Sequence, residues 1–194
     1  MAGSIFCSVA PYHILCYGTL LGTTFFHSFI NGPSMFKAVD RQSFSAIQQR
    51  IFPIYFGMQT ALPAVLALTF PGDPLTGVSP GIAGLFNASS KLDSLVPIVG
   101  MFATGIANLV VLLPATLDVM KQRRGQVKRD GKDWGSEGPH SEEMRALNKK
   151  FGMLHGISSL LNLGTFVAAV AYGFTLGARI QSVTDRISKS FASN

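Results

Sequence analysis

KKFGMLHGISSLLNLGTFVAAVAYGFTLGAR, Lys149 to Arg179, decides how the rest of this chain is read. Between Lys150 and Arg179 lie 28 residues without an Asp, Glu, Lys or Arg. A helix of about 20 residues spans the hydrocarbon core of a bilayer, so this run crosses with length left for tilt. It is not uniformly apolar. His155, Ser158, Ser159 and Asn162 recur at helical spacing, and Gly152 and Gly156 form a GxxxG pair of the kind that lets helices approach closely. The stretch reads as a transmembrane helix with one polar, tightly packed face.

Composition agrees with that reading. Of the 194 residues 47% are hydrophobic and only 13% charged, against about 25% charged in soluble domains. The net charge of +6 does not point to nucleic acid. The basic residues fall in gaps between apolar runs, with no basic helix interleaved with stacking aromatics. Cys7 and Cys16 supply neither a zinc set nor a disulfide framework, and no cofactor is implied.

Three further apolar runs cover about residues 10–31, 51–70 and 94–114, with the opening stretch, 151–179, as the fourth. The first is read as a retained helix rather than a signal peptide. Residues 1–9 carry no Lys or Arg, and TTFFHSFING lacks a small-residue cleavage site. Before the second run, Met35, Phe36, Val39, Phe44, Ile47 and Ile51 recur at roughly helical intervals, as in an amphipathic lead-in at the interface. Pro53 and Pro63 fall inside that run or at its edge, where a proline bends a helix. PGDPLTGVSPGIAGLFNASSK reads as a loop, with an N-A-S acceptor at Asn87 that is usable only on a lumenal side. About residues 125–140 form a flexible basic loop, after which Ser141 caps the last helix. The fold expected is all-α: one domain over 1–194, an integral membrane bundle of four transmembrane helices with cytoplasmic helical extensions of the third and fourth. Those extensions are expected to pack against the lead-in to the second.

Orientation follows from counting. Lys37, Arg41 and Arg50 precede the second span, and nine Lys and Arg lie between the third and fourth. The opposite side holds Lys91, Arg179, Arg186 and Lys189, so the count is 12 against 4. The positive-inside rule puts both termini on the non-cytoplasmic side. Every span then contributes a polar group to the cytoplasmic half of the bilayer: His27, Gln59, Asn108, and His155, Ser158, Ser159 and Asn162. His13, at the other end, is the exception.

Two readings of that cluster stand. In lipid, such groups hold helices together, with Gly18/Gly22 and Gly152/Gly156 permitting close approach; or they line a path for a small solute or ion. Asn108, His155 and Asn162 are all expected to face the bundle interior, since an amide or imidazole against lipid leaves its polar atoms unpaired. No metal site is assigned, because His27 and His155 lack a third ligand. HExxH, GxSxG, a P-loop and paired carboxylates within the spans are all missing, so a non-enzymatic protein is expected, with membrane lipid and other membrane proteins as partners.

Three blocks, RQSFSAIQQRIFPIYF, ANLVVLLPATLDVMKQRR and LNKKFGMLHGISSLLNLG, resemble the transmembrane protein 205-like family. The matching positions are Phe44, Phe52, Pro53 and Phe56; then Asn108, Pro114, Thr116 and Met120; then Phe151, His155, Gly156, Ser158, Ser159, Asn162 and Leu163. Order and spacing agree over most of residues 10–180, although the loop before the last helix is longer and more basic here. The resemblance implies a four-helix membrane domain of an internal membrane such as the endoplasmic reticulum. It brings no reaction with it.

Overall fold

The computed structural model describes residues 8–73 and 76–192, and Cys7 lies outside them. Four helical rods make up nearly all of it. The first runs from α1 (Val9–Phe25) through a widened turn, Phe26–Asn31, into α2 (Gly32–Ala38). The second is α3 (Arg41–Leu68). After the short α4 (Ile82–Leu85), the third joins a widened turn at Lys91–Leu95, α5 (Val96–Ala107), a second at Asn108–Leu112 and α6 (Leu113–Asp130). The fourth is α7 (Glu142–Ala192). α1 packs on α3 and α7, and α5 packs on the same two, so the rods close into a ring.

Among the described residues, three rods are long and apolar enough to cross a membrane: Arg41–Leu68, Lys91–Asp130 and Glu142–Lys189. The first rod is not among them, since Tyr12, His13, Tyr17, Thr19, Thr23 and Thr24 dilute its apolar character.

The widened turns have a common cause. Each ends two residues before a proline, Pro33, Pro97 or Pro114. Proline donates no N–H, and its ring collides with the carbonyl four residues back; a π-type turn absorbs the misfit without breaking the rod. Pro53 and Pro63 instead sit inside α3, which stays α-helical around them.

Between α2 and α3 the continuous lead-in expected from the sequence is interrupted. Val39 is extended, and Asp40 caps α3 by accepting from the backbone N–H groups of Ser43 and Gln42. Hydrogen bonding from the Ser43 side chain first, then from the Ser43 and Gln42 N–H groups, holds the Asp40 carboxyl below the usual carboxylate range. The basic connection is also shorter than expected. α6 continues to Asp130 and ends on Gly131 at φ +65, the left-handed conformation glycine adopts freely. Ser141 Oγ accepts from Met144 N at 3.2 Å, capping α7. Residues 131–140 fold against the rods: Gln42 donates to Asp133, Arg41 to the Gly135 carbonyl, and Asn148 to the Trp134 carbonyl. Arg124 joins α6 to α3 by donating to Gln49 Oε1 at 2.8 Å.

The main apolar core lies toward the α4 end, around Leu20, Leu66, Phe70, Ile98, Met101 and Tyr172. A smaller one, Tyr55, Phe56 and Leu113, sits nearer the α6–α7 connection. The glycines expected to bring helices together do not. A methyl group added at Gly18, Gly22, Gly152 or Gly156 would meet open space. Close approach occurs at Gly105 instead, where such a methyl would lie 2.5 Å from the Gln59 carbonyl oxygen, and at Gly173, which faces the Tyr17 hydroxyl. A GxxxG spacing states that two glycines share a helix face, not that the face is turned inward.

Candidate functional site: a layered polar interior

Polar side chains cross the bundle interior in three layers. At the α4 end His13, 1% exposed, bridges α3 and α7. Thr69 Oγ1 already donates to the Val65 carbonyl at 2.7 Å, so in its 3.0 Å contact with His13 Nδ1 the imidazole is the donor. Nε2 is then the acceptor for the Tyr172 hydroxyl at 2.7 Å. One tautomer satisfies the whole chain. Beside it, Arg179 donates to Asp93 at 3.2 Å and to the hydroxyls of Ser94 and Ser90, while its guanidinium lies over the Phe70 ring.

The central layer joins three rods. Gln59 Nε2 has two N–H groups for three neighbours: Asn162 Oδ1 at 2.7 Å and the Tyr55 hydroxyl at 2.9 Å are the close acceptors, with Thr24 Oγ1 at 3.3 Å. The Tyr55 hydroxyl donates to the same Asn162 oxygen, and Asn162 Nδ2 donates to Ser28 Oγ at 3.1 Å. Each pair within a rod is four residues apart, Thr24/Ser28 and Tyr55/Gln59, so each presents one helical face. α5 and the turn after it meet α7 separately, through Thr104–Thr165 at 2.7 Å and Ser158 Oγ to Asn108 Oδ1 at 2.8 Å.

Of the seven residues expected to form one cluster, the structure joins only some. Gln59 and Asn162 meet directly; Asn108 and Ser158 form their own pair. His27 packs against Phe52 and Tyr55 and accepts from Asn31, at the rim of the central layer. His155 does not point inward. It is exposed and stacks on Phe151 with the rings 5.9 Å apart, and Ser159 is exposed as well. The reason is rotational. At about 100° per residue, His155 lies near Asn162 in projection, but the buried stripe of α7 is centred on Ser158, Thr165, Ala169 and Leu176. Asn162 is on one flank of that stripe, and His155 lies beyond it.

At the α6–α7 end a third polar layer contains Gln48, Arg123, Gln126 and Asn148. Gln126 takes its bonds from Arg129 and gives one to Asp130. Five buried polar atoms have no partner among the described residues: Gln48 Oε1, Gln59 Oε1, Asn108 Nδ2, Arg123 Nε and Asn148 Oδ1. Also among the described residues, no three His, Cys, Asp or Glu side chains gather as a metal site.

Long apolar rods with polar groups turned inward define the class: a helical membrane protein. The chain belongs to the family described as "Domain of unknown function (DUF4149)", which matches residues 15–125, from α1 into α6. A relative, "Xanthocillin biosynthesis cluster protein D" of Aspergillus fumigatus, is 31% identical over 173 residues, covering 89% of this chain and 92% of the relative. No solved structure matches. α7, which supplies Asn162, Ser158 and Tyr172, lies outside the family match but largely inside the span shared with this relative's length.

Proposed function

We propose that this chain is a transmembrane protein 205-like, multi-pass protein of an internal membrane, crossing four times with both termini on the non-cytoplasmic side. In this reading it is non-enzymatic, and its task is structural or partner-binding. The observation that carries it is the central layer, where Thr24, Ser28, Tyr55, Gln59 and Asn162 bond one another across three rods, with Gln59 Oε1 left over. Interhelical bonds of this kind stabilise a bundle by about 0.5–2 kcal/mol each and fix the rods' register. The name of the Aspergillus relative sets that protein in a biosynthesis cluster, a context that suits a membrane partner of other proteins.

A second reading, passage of a small solute or ion through the α6–α7 half, draws on the unpartnered Gln59 Oε1 and Asn108 Nδ2. Flux assays on reconstituted protein separate the two. The partner-binding reading expects no movement across a panel of ions and small polar solutes. Flux that disappears in Gln59→Leu would replace it with transport. Topology is tested with reporter tags at Trp134 and at the C-terminus, which are expected on opposite sides; both on one side would remove the four-span arrangement.

A further inference from the structure

Arg123 is a cation clamped between aromatic rings with its Nε–H lacking a hydrogen-bond acceptor. Its guanidinium lies 4.5 Å from the centre of the Phe151 ring and 5.2 Å from that of Trp134, between α7 and the connection after α6. Its Nε is buried and unpartnered, and so is the carbonyl oxygen of Asn148, whose amide holds the Trp134 carbonyl. The contrast with Arg179 defines the anomaly. Arg179 also lies over an aromatic ring, yet has Asp93, Ser90 and Ser94 as acceptors, with Asp93 as its ion-pair partner. Asp133, in the same turn as Trp134, attracts Arg123 electrostatically, but its oxygens accept hydrogen bonds from Gln42 and the Gly135 N–H.

Aromatic rings against a guanidinium hold its plane and leave its edge, where the N–H groups point, as the binding surface. That edge matches an oxyanion that takes parallel hydrogen bonds. Local charge bears on the choice among oxyanions. Lys149 and Lys150 immediately precede Phe151, and Lys121 and Arg124 flank Arg123 on α6, so the segments that carry the clamp are basic, with Asp133 as the carboxylate that attracts Arg123. Phe151 also opens the uncharged run of α7, which sets the clamp at the level where a bilayer presents phosphates.

We infer that Arg123, oriented by Trp134 and Phe151, binds a phosphate group, carried by a phospholipid headgroup or by a soluble phosphate. The inference does not depend on how many rods cross the membrane or on which side the clamp faces. Trp134 is the only tryptophan of the chain and touches the proposed site, so its fluorescence reports occupancy. The full-length protein in sugar-headgroup detergent micelles, which contain no phosphate, is titrated with inorganic phosphate and separately with phosphatidic acid in mixed micelles. Potassium chloride of equal ionic strength is the control. A saturable change with both probes assigns an open phosphate site, and a change with phosphatidic acid alone assigns a headgroup site. Arg123→Gln is expected to weaken binding by roughly tenfold to a hundredfold, as loss of a charged hydrogen-bonding pair does. Arg123→Lys, which keeps the charge but loses the planar fork, is expected in between. No change in the wild type beyond the chloride control overturns the proposal, whatever the variants do, and so does equal affinity in a folded Arg123→Gln.

Discussion

The two halves of the bundle treat their buried polar groups differently. Toward α4 the interior polar groups are spent: His13 uses both ring nitrogens, Tyr172 and Thr69 close the chain, and Arg179 is held by a carboxylate and two hydroxyls. From the centre to the α6–α7 end, five buried atoms have no partner among the described residues. An unmet buried donor or acceptor costs about 1–3 kcal/mol, so a chain keeps such atoms where something else meets them or where function needs them. The difference teaches that polarity inside a membrane bundle is not one phenomenon. One half uses it as adhesive, and the other holds bonding capacity in reserve.

The sharpest way to break this contrast is to remove an adhesive group. His13→Ala leaves the Tyr172 hydroxyl without its acceptor and opens a cavity at a 1% exposed position. The expected loss is about 3 kcal/mol, read from denaturant unfolding in mixed micelles by circular dichroism. A loss below about 1 kcal/mol would mean that the α4-end chain is ornament rather than adhesive.

Asp93→Ala tests the same half closer to water. Its side chain is 43% exposed, so the pair with Arg179 is screened, and Ser90 and Ser94 remain as acceptors. The expected loss is about 1 kcal/mol and shrinks as salt is raised. An effect indifferent to salt would remove the ion pair from the account.

In the other half Gln59→Met is the counterpart of His13→Ala. The volume is kept and the unpartnered carbonyl disappears, while Tyr55 still donates to Asn162. Loss and gain nearly cancel, so stability is expected to change by less than about 1 kcal/mol in either direction. If Gln59→Met costs as much as His13→Ala, the two halves are alike and the comparison fails.

How much of this the sequence discloses depends on what kind of statement is asked of it. The run from Phe151 to Ala178 announces a membrane helix because charge is absent from it, and the absence is local information. Gln59 and Asn162 stand out for the same reason, as amides in apolar surroundings. His13 pairing with Tyr172, 159 positions away, is tertiary information that no local spacing carries. His155 misleads because helical projection gives relative angles but not the direction of the bundle axis. The widened turns are a middle case: Pro33, Pro97 and Pro114 are visible in the sequence, but the choice between a kink and a π-type turn is made by packing.

A comparably small expected effect, and one whose sign is informative, concerns the exposed face of α7 at the half with bonding capacity in reserve. Gly156 borders open space, beside exposed His155 and Ser159. In an isolated bundle, Gly156→Ala adds a methyl group that meets nothing and removes the backbone entropy that glycine brings to a helix, so stability is expected to rise by roughly 0.5–1 kcal/mol. Gly105 is the opposite case, since its added methyl meets the Gln59 backbone, which cannot yield as a flexible side chain does. The sign at Gly156 therefore reports what covers α7 in the protein as it exists in a bilayer. A gain in micelles and in bilayers alike leaves this face to lipid. A gain in micelles that turns into a loss in bilayers would place another helix against Gly152 and Gly156, and the exposed imidazole of His155 would then have its hydrogen-bond partner on that helix.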